Sequence, residues 1–371
     1  MNRNPNNRLV FLSVVPSPYQ RDVFSALARR GRVALQVHYL ECAAPDSPWP
    51  AVERRAWENV LPGITLGRGR WRSHYNWNLP SQKPGEIWVV NGAMTDITTQ
   101  RAMRRLAHNT PWCFWGELPS MPQSGFKRWI QARQYAPLRD ATAIVAVGER
   151  AREAYMRIAP GVPVFNQPYA CELAPFVAAA TRRPVNAEPV FLFCGQMIAR
   201  KGIDVLLHAF DQLIANGTGA RLDLIGREAE LPTLLGSLRA ETRSRITYHG
   251  FKAPDELPAW FARADIFALP SRHDGWGVVV NQALAAGLPI IATTAVGAAL
   301  DLVENGVNGL LVPPNDSDSL VEAMQRLAGS RELREAFGAV NAAKGALLTP
   351  EHAAEFWENF AEEFSPLTGG A

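Results

Sequence analysis

The chain opens with a continuous apolar run inside RLVFLSVV, Arg8 to Val15, the pattern of a strand buried on both faces. Pro16 ends the run. Ser17 followed by Pro18 predicts a helix start, with Gln20 placed to complete a capping box. The predicted helix extends from about Pro18 to Arg30, stops at Gly31, and yields to a second strand in RVALQVHYLE. Further strands are predicted at Glu86–Gly92, Pro111–Glu117 and Thr142–Gly148, with helical patterns at Thr98–Ala107 and Lys127–Tyr135. Residues 43–83, rich in Pro, Trp and Arg, show no clear period. From Val177 to Pro189 the apolar periodicity lapses and two prolines appear, which predicts a linker.

The second half alternates more cleanly. Strands are predicted at Pro189–Gly195, Arg221–Gly226, Arg245–Gly250, Asp265–Ser271, Pro289–Thr293 and Gly309–Pro314. Helices are predicted at Ile203–Asn216, Asp255–Ala264, about Val278–Ala286 and Ser317–Leu327, with a last helical segment at Glu351–Phe364. Strands alternating with helices imply βαβ units and parallel sheets. The expected fold class is α/β, with two Rossmann-like doubly wound domains at residues 1–180 and 181–350 and a C-terminal helix in 351–371. In such sheets ligands bind outside the carboxyl ends of the strands, so function is sought in the loops that follow them.

Composition narrows the classes. With 47% hydrophobic and 20% charged residues among 371, the chain has an ordinary globular make-up, able to bury full cores. The four cysteines are scattered without partners at metal-ligand spacing, so neither a disulfide framework nor a zinc site is expected, and a reducing compartment fits. No window approaches the ~18 consecutive apolar residues of a membrane span. The first apolar run is short and reads as a strand rather than a signal peptide, which gives a cytoplasmic expectation. The net charge of +3 hides an asymmetry: residues 1–180 hold 22 Lys and Arg against 12 Asp and Glu, a net +10, and the remainder is −7. Eight of the 11 tryptophans also lie in the first part. This split predicts an anionic partner for the first domain. No nucleic-acid module accompanies the charge, so nucleic acid is not expected as a partner.

Two loops can carry chemistry. In SRHDGWGVVVNQALAAGLPIIAT, Ser271 to Thr293, a strand is followed by a loop with Gly275 and Gly277 and then by a helix. The glycines allow close backbone approach, and free N–H groups at a helix start suit a phosphate. Val278 to Val280 is a β-favouring run at that helix start, a local conflict of the kind found at functional sites. The other loop, CGQMIARKGID, places Arg200 and Lys201 between a strand and a helix, where two cations can hold a diphosphate.

Together these segments resemble the retaining GT-B glycosyltransferases of family 4. The resemblance is carried by Gly195–Lys201–Gly202, by Leu224–Gly226, by ADIFALPS before the DGWGVVVNQALAAGLPIIAT run, and by AVGAALDLVENGVNGLLVPPNDSDSLVEAM after it. VVPSPYQRDVF, FWGELP, AIVAVGERAREAY and QPYACELAPF extend it into the first half, where the wording resembles a branch active in bacterial surface-polysaccharide assembly. The resemblance implies two Rossmann-like domains facing across a cleft, with the last helix crossing back to the first. It implies transfer of a sugar from a nucleotide diphosphate sugar to an acceptor hydroxyl by front-face attack, without metal or further cofactor.

Carried over by position, Asp274 matches the first glutamate of the E-x7-E motif, which bonds donor-sugar hydroxyls. Gln282 matches the second, which holds the ribose. Lys201 matches the basic residue on the donor diphosphate, with the backbone of Gly275, Trp276, Gly277 and Val278 supporting the phosphates. Gly195, Gln196 and Arg200 join the donor loop, and Gly226 and Phe251 border the base. Three residues depart from the pattern: Asp at 274 and Gln at 282 each replace Glu, and Gln196 stands where arginine is usual. The alternative reading is therefore a catalytically weakened relative acting as a binding or scaffolding subunit. Glu117, where many relatives place a histidine, either assists the acceptor or bonds donor, or else merely orders its loop. Ser17, Tyr19 and Asp22 are expected on the acceptor side. The implied acceptor is a glycan or a lipid-linked sugar at the inner membrane face. FKRWIQARQY, Phe126 to Tyr135, reads equally as an interfacial helix or as core with a solvated rim. Asp316–Ser317–Asp318 is expected to cap a helix rather than bind metal, and His273 is expected to be an exposed loop histidine.

Overall fold

The computed structural model describes residues 7–43, 53–67, 72–107, 110–119 and 124–364. The chain divides into two compact units, one of residues 1–170 and 350–371, the other of residues 171–349. It passes from the first to the second at Ala170–Cys171, ahead of the Val177–Pro189 stretch.

The first unit contains β1 (Arg8–Ser13), α1 (Pro18–Arg30), β2 (Ala34–Tyr39), β3 (Glu58–Val60), β4 (Gly63–Leu66), β5 (Ser73–Asn76), β6 (Glu86–Asn91), α2 (Ile97–Leu106), β7 (Trp112–Gly116), α3 (Gly125–Tyr135), β8 (Ala143–Ala146), α4 (Glu149–Ile158) and β9 (Val164–Asn166). Seven strands form one parallel sheet in the order β3-β2-β1-β6-β7-β8-β9, and β4 and β5 make a separate antiparallel pair. Strands β3 to β5 fall in the stretch that showed no period. They are three or four residues long, and β4 is exposed throughout, so neither face imposes an alternation. Residues 44–52 and 68–71 of that stretch lie outside the described residues.

The second unit contains α5 (Ala174–Ala180), β10 (Val190–Cys194), α6 (Ile203–Ala215), β11 (Arg221–Ile225), α7 (Leu231–Gly236), α8 (Ala240–Ser244), β12 (Ile246–Tyr248), α9 (Leu257–Arg263), β13 (Ile266–Leu269), α10 (Val279–Ala285), β14 (Ile290–Thr293), α11 (Gly297–Leu302), β15 (Gly309–Val312), α12 (Ser317–Gly329) and α13 (Arg331–Gly345). Its six strands are all parallel, in the order β12-β11-β10-β13-β14-β15. The start of the predicted linker is helical: Val177 to Ala180 belong to α5, held by Phe176, whose ring meets Phe261 of α9 edge-on at 5.3 Å. Asp316 caps α12 by accepting from the Ser319 N–H, as expected of that triplet.

After α13 the chain returns to the first unit as α14 (Pro350–Glu363), which packs along α1. Trp357 is fully buried there, edge-on to Phe11 of β1 at 5.2 Å and to Trp115 of β7 at 5.2 Å. Glu358 is buried too, and its carboxylate accepts from Arg30 at 2.9 Å. One sequence expectation fails at α1. Ser17 makes no side-chain cap, and Gln20 turns away from the helix start to donate to Asn91 at 2.7 Å. A tertiary partner at a strand end has displaced the local capping box.

Both sheets share one topology. Strand order reverses between β1 and β6 in the first unit and between β10 and β13 in the second. These are the switch points where the loops beyond adjacent strands diverge and leave a crevice.

Candidate active site

At the switch point of the second unit, the loops after β10 and β13 meet. The first leaves β10 at Gly195, whose N–H bonds Ile225 at 2.8 Å, and buries Met197 before the turn of Ala199 to Lys201. The second leaves β13 at Pro270. Gly202 sits at their closest approach: it has φ +70°, and a Cβ built on it would lie 1.9 Å from the Pro270 carbonyl oxygen. Arg272 latches the loops. Its N–H bonds the Arg200 carbonyl at 2.8 Å, and its guanidinium donates to both Asp204 oxygens at 2.6 Å. A third loop, after β14, supports the second through Asp274 N–H to Ala295 at 3.0 Å and Gly297 N–H to Asp274 at 3.1 Å.

This framework brings Lys201 and Asp274 together. The Lys201 ammonium donates directly to Asp274 Oδ2, with 15% and 12% of the two side chains exposed. Arg200 stands outside the pair, 47% exposed, with Nη1 3.9 Å from Asp274 Oδ1 and 3.0 Å from the His273 carbonyl. An ammonium has three donors, so pairing with Asp274 leaves Lys201 with donors for a second anion. His273 is exposed.

The other residues expected on the donor side take different places. Trp276 is buried, its indole N–H is spent on Asn281 at 3.0 Å and its carbonyl accepts from Ala298 at 2.8 Å, so it anchors the loop. Helix α10 begins at Val279 and is two turns long. Gln282 lies within it, half-buried, and its carbonyl oxygen has no hydrogen-bond partner among the described residues. Gln196 is half-buried at the end of β10. Gly226 adopts φ +137° directly against Gly195, and its N–H bonds the Gly250 carbonyl at 3.0 Å. Phe251 follows, 40% exposed. Among the described residues no group of three or more His, Cys, Asp or Glu is placed to hold a metal.

The Arg272–Asp204 latch has a pH signature. Hydrogen bonds from Arg272 hold the Asp204 carboxyl below its ordinary value. A carboxylate depressed in the folded state adds stability above its unfolded pKa of ~4 and loses it as pH falls through the folded value. The melting temperature of the second unit is therefore expected to drop below about pH 4, and Asp204→Asn is expected to flatten that drop. Identical acid profiles for the two proteins would refute the assignment.

At the switch point of the first unit lies a cavity of about 360 Å³, walled by the loops after β1, β6 and β7 and by the end of α3. Ser17 and Tyr19 line it, as does Glu117, whereas Asp22 on α1 is not part of the wall. Glu117 is exposed but held: its carbonyl accepts from Tyr155 at 2.9 Å, and Tyr169 hydrogen-bonds both Glu117 and Asn91. Asn91, Tyr135, Tyr155 and Tyr169 went unnoticed as cavity residues in the sequence. Asn91 alone had a signal, as the polar end of the apolar strand EIWVVN.

No side chain of helix α3 is fully buried. Phe126 and Trp129 are 72% and 56% exposed, stacked at 6.2 Å, and Arg133 lies over the Trp129 ring at 5.0 Å. The end of the helix packs on the core through Tyr135, and the Phe126–Trp129 pair stands out from it. Among the described residues no helix is long and apolar enough to cross a membrane.

Two parallel-sheet Rossmann-like units define the architecture of the GT-B glycosyltransferases. The chain superimposes on sucrose-phosphate synthase of Thermosynechococcus elongatus over 96% of its own length and 98% of that chain, with a TM-score of 0.72 at 20% identity. It superimposes on Anabaena HepE in complex with UDP over 96% and 100%, with a TM-score of 0.70 at 14% identity. Residues 188–330, which include Lys201 and Asp274, are a "Glycosyl transferases group 1" domain by their match to that family. Among curated proteins, the GDP-mannose-dependent alpha-(1-6)-phosphatidylinositol monomannoside mannosyltransferase of Mycobacterium tuberculosis is 32% identical over 166 residues, covering 43% of each chain. The alpha-D-kanosaminyltransferase of Streptomyces kanamyceticus is 28% identical over 155 residues, 42% of this chain and 40% of that one. The chain thus spans less than half the length of these curated relatives.

Proposed function

We propose that the protein is a retaining, metal-independent glycosyltransferase of family 4 that moves a sugar from a nucleotide diphosphate sugar to an acceptor hydroxyl in bacterial surface polysaccharide or glycolipid assembly. The observation that carries this reading is the Lys201–Asp274 pair at the switch point of the group 1 domain. A cation and a carboxylate, side by side and partly shielded, suit a diphosphate joined to a hydroxyl-bearing sugar. Lys201, with Arg200 at the rim, stabilises the charge that develops on the departing diphosphate. Asp274 accepts from donor-sugar hydroxyls, and Gln282 offers its unpartnered carbonyl to the ribose. Glu117 and the cavity beside it serve the acceptor.

The test is thermal stabilisation by UDP, GDP, ADP, CMP and dTDP and their sugars, without added metal. One diphosphate is expected to raise the melting temperature of the protein and not that of Lys201→Ala. A protein that no nucleotide shifts at millimolar concentration would instead be the non-catalytic relative suggested by Gln196 and Gln282.

A cytoplasmic site of action on a lipid-linked acceptor is part of the proposal, and α3 supports it. Stacked aromatics among Lys127, Arg128 and Arg133 fit an anionic bilayer surface, the apolar rings entering the interface while the cations meet headgroups. Co-sedimentation with vesicles containing phosphatidylglycerol is expected to fall about tenfold in the Phe126→Ser, Trp129→Ser double variant. Equal pelleting of both proteins would remove the membrane from the proposal.

A further inference from the structure

We infer that the cavity of the first unit accepts an uncharged, hydroxyl-rich sugar ring and rejects a phosphorylated or carboxylated one. The inference rests on the transferase reading for its purpose, and on the cavity wall for its content.

Apart from Glu117, the wall is uncharged and rich in aromatic rings. Tyr19 and Trp115 each pack against Tyr169, at centroid distances of 4.9 and 5.3 Å, and Tyr135 lies 6.4 Å from Tyr155. Rings of this kind cover the C–H faces of a sugar while their polar ends address its hydroxyls. Burial pushes the Tyr135 phenol up to about 12 and those of Tyr155 and Tyr169 well above the ordinary phenol value, so they remain neutral hydroxyls at working pH.

Between the rings runs a fixed polar row. Gln20 donates to Asn91, which donates in turn to the Trp115 carbonyl, both at 2.7 Å. Ser17 is 3% exposed and lines the cavity, yet its hydroxyl has no hydrogen-bond partner among the described residues. Buried polar groups are seldom left so, and a ligand rich in hydroxyls is the chemistry that would satisfy this one.

Charge decides the class. Among the described wall residues there is no lysine, arginine or histidine, and the carboxylate there is Glu117. A phosphate entering this space would shed water, find no cation, and face a like charge. The basic excess of residues 1–180 lies elsewhere, for example on Lys127, Arg128 and Arg133 of α3, none of which lines the cavity. The anionic partner expected from the +10 balance thus belongs to the outer surface. A cavity of about 360 Å³ is also at the small end of the ~300–1,000 Å³ of small-molecule sites, which suits a terminal ring rather than a long glycan.

The test uses saturation-transfer NMR on the full chain with methyl glycosides of gluco, galacto and manno configuration, each compared with its 6-phosphate and its uronate. At least one neutral glycoside is expected to bind about tenfold or more tightly than its charged counterparts. Tyr19→Ala and the milder Tyr169→Phe are expected to weaken that binding. Glu117→Gln is expected to narrow the gap by admitting the anions. Charged sugars binding as well as neutral ones would overturn the inference, as would neutral binding untouched by both tyrosine variants. Neutral binding weaker than ~10 mM throughout would overturn it too. Nucleotide stabilisation, read in parallel, separates the two ideas. A protein that binds a nucleotide diphosphate but prefers phosphorylated sugars refutes the cavity assignment alone. One that prefers neutral sugars but binds no nucleotide refutes the transferase alone.

Discussion

Lys201→Ala is expected to lower kcat/KM for sugar transfer by about two to three orders of magnitude, the usual cost of removing one preorganised donor from a developing anion. Arg200 is half exposed and already committed to the His273 carbonyl, and its nearest approach to Asp274 is 3.9 Å. The substitution has a second effect, since Asp274 loses its partner while only 12% of its side chain is exposed. A Lys201→Ala, Asp274→Asn double variant, compared with Asp274→Asn alone, separates the two roles. If Lys201 only neutralises Asp274, Lys201→Ala adds no loss once the carboxylate is gone. If it holds the diphosphate, the double variant is slower than Asp274→Asn by about a further tenfold or more. Steady-state transfer, or donor hydrolysis without acceptor, reads this directly, and a loss of less than tenfold in Lys201→Ala would discard the assignment.

Gly226→Ala carries the largest expected effect on stability. Its φ of +137° is closed to side-chain-bearing residues, and a Cβ would lie 1.8 Å from the Gly195 carbonyl oxygen. Both sides of that contact are backbone at the ends of paired strands, with Gly195 itself bonded to Ile225. No rotamer change relieves it, so β10 and β11 must separate where the loop carrying Lys201 begins. Strain and overpacking together are expected to cost the second unit about 4 kcal/mol or more. Gly217→Ala is the control: φ is +81°, but nothing lies within 4 Å of the added methyl, so only the backbone term of about 1–2 kcal/mol applies. Urea unfolding followed by hydrogen exchange in β10 and β11 compares the two. Equal costs would show that close packing at Gly195 contributes nothing.

The long apolar strands and the helices closed by glycine were legible because burial on both faces and the 3.6-residue period write themselves locally. Leu9 to Leu12 could hardly be anything but a central strand. The short elements were not legible. Gly63–Leu66 is exposed throughout, and Ala174–Ala180 is helical in a stretch whose composition reads as linker, held by the contact of Phe176 with Phe261. The candidate site divides in the same way. Glycines, cations and the carboxylate of the donor loops announce themselves, since such residues after a strand are unusual. Their pairing does not: Lys201 and Asp274 are 73 positions apart and meet through the reversal of strand order. Gln20 shows the converse error, a local motif overruled by Asn91, 71 positions away.

The return of α14 to the first unit makes synthesis order matter. As the chain emerges, β1 and β7 are complete long before Trp357 exists, so the apolar floor between Phe11 and Trp115 stays open while the whole second unit is made. The second unit is continuous in sequence and can close as soon as its own residues are available. The segment translated first is therefore finished last, and its cavity takes final shape only once the residues after the second unit have been made.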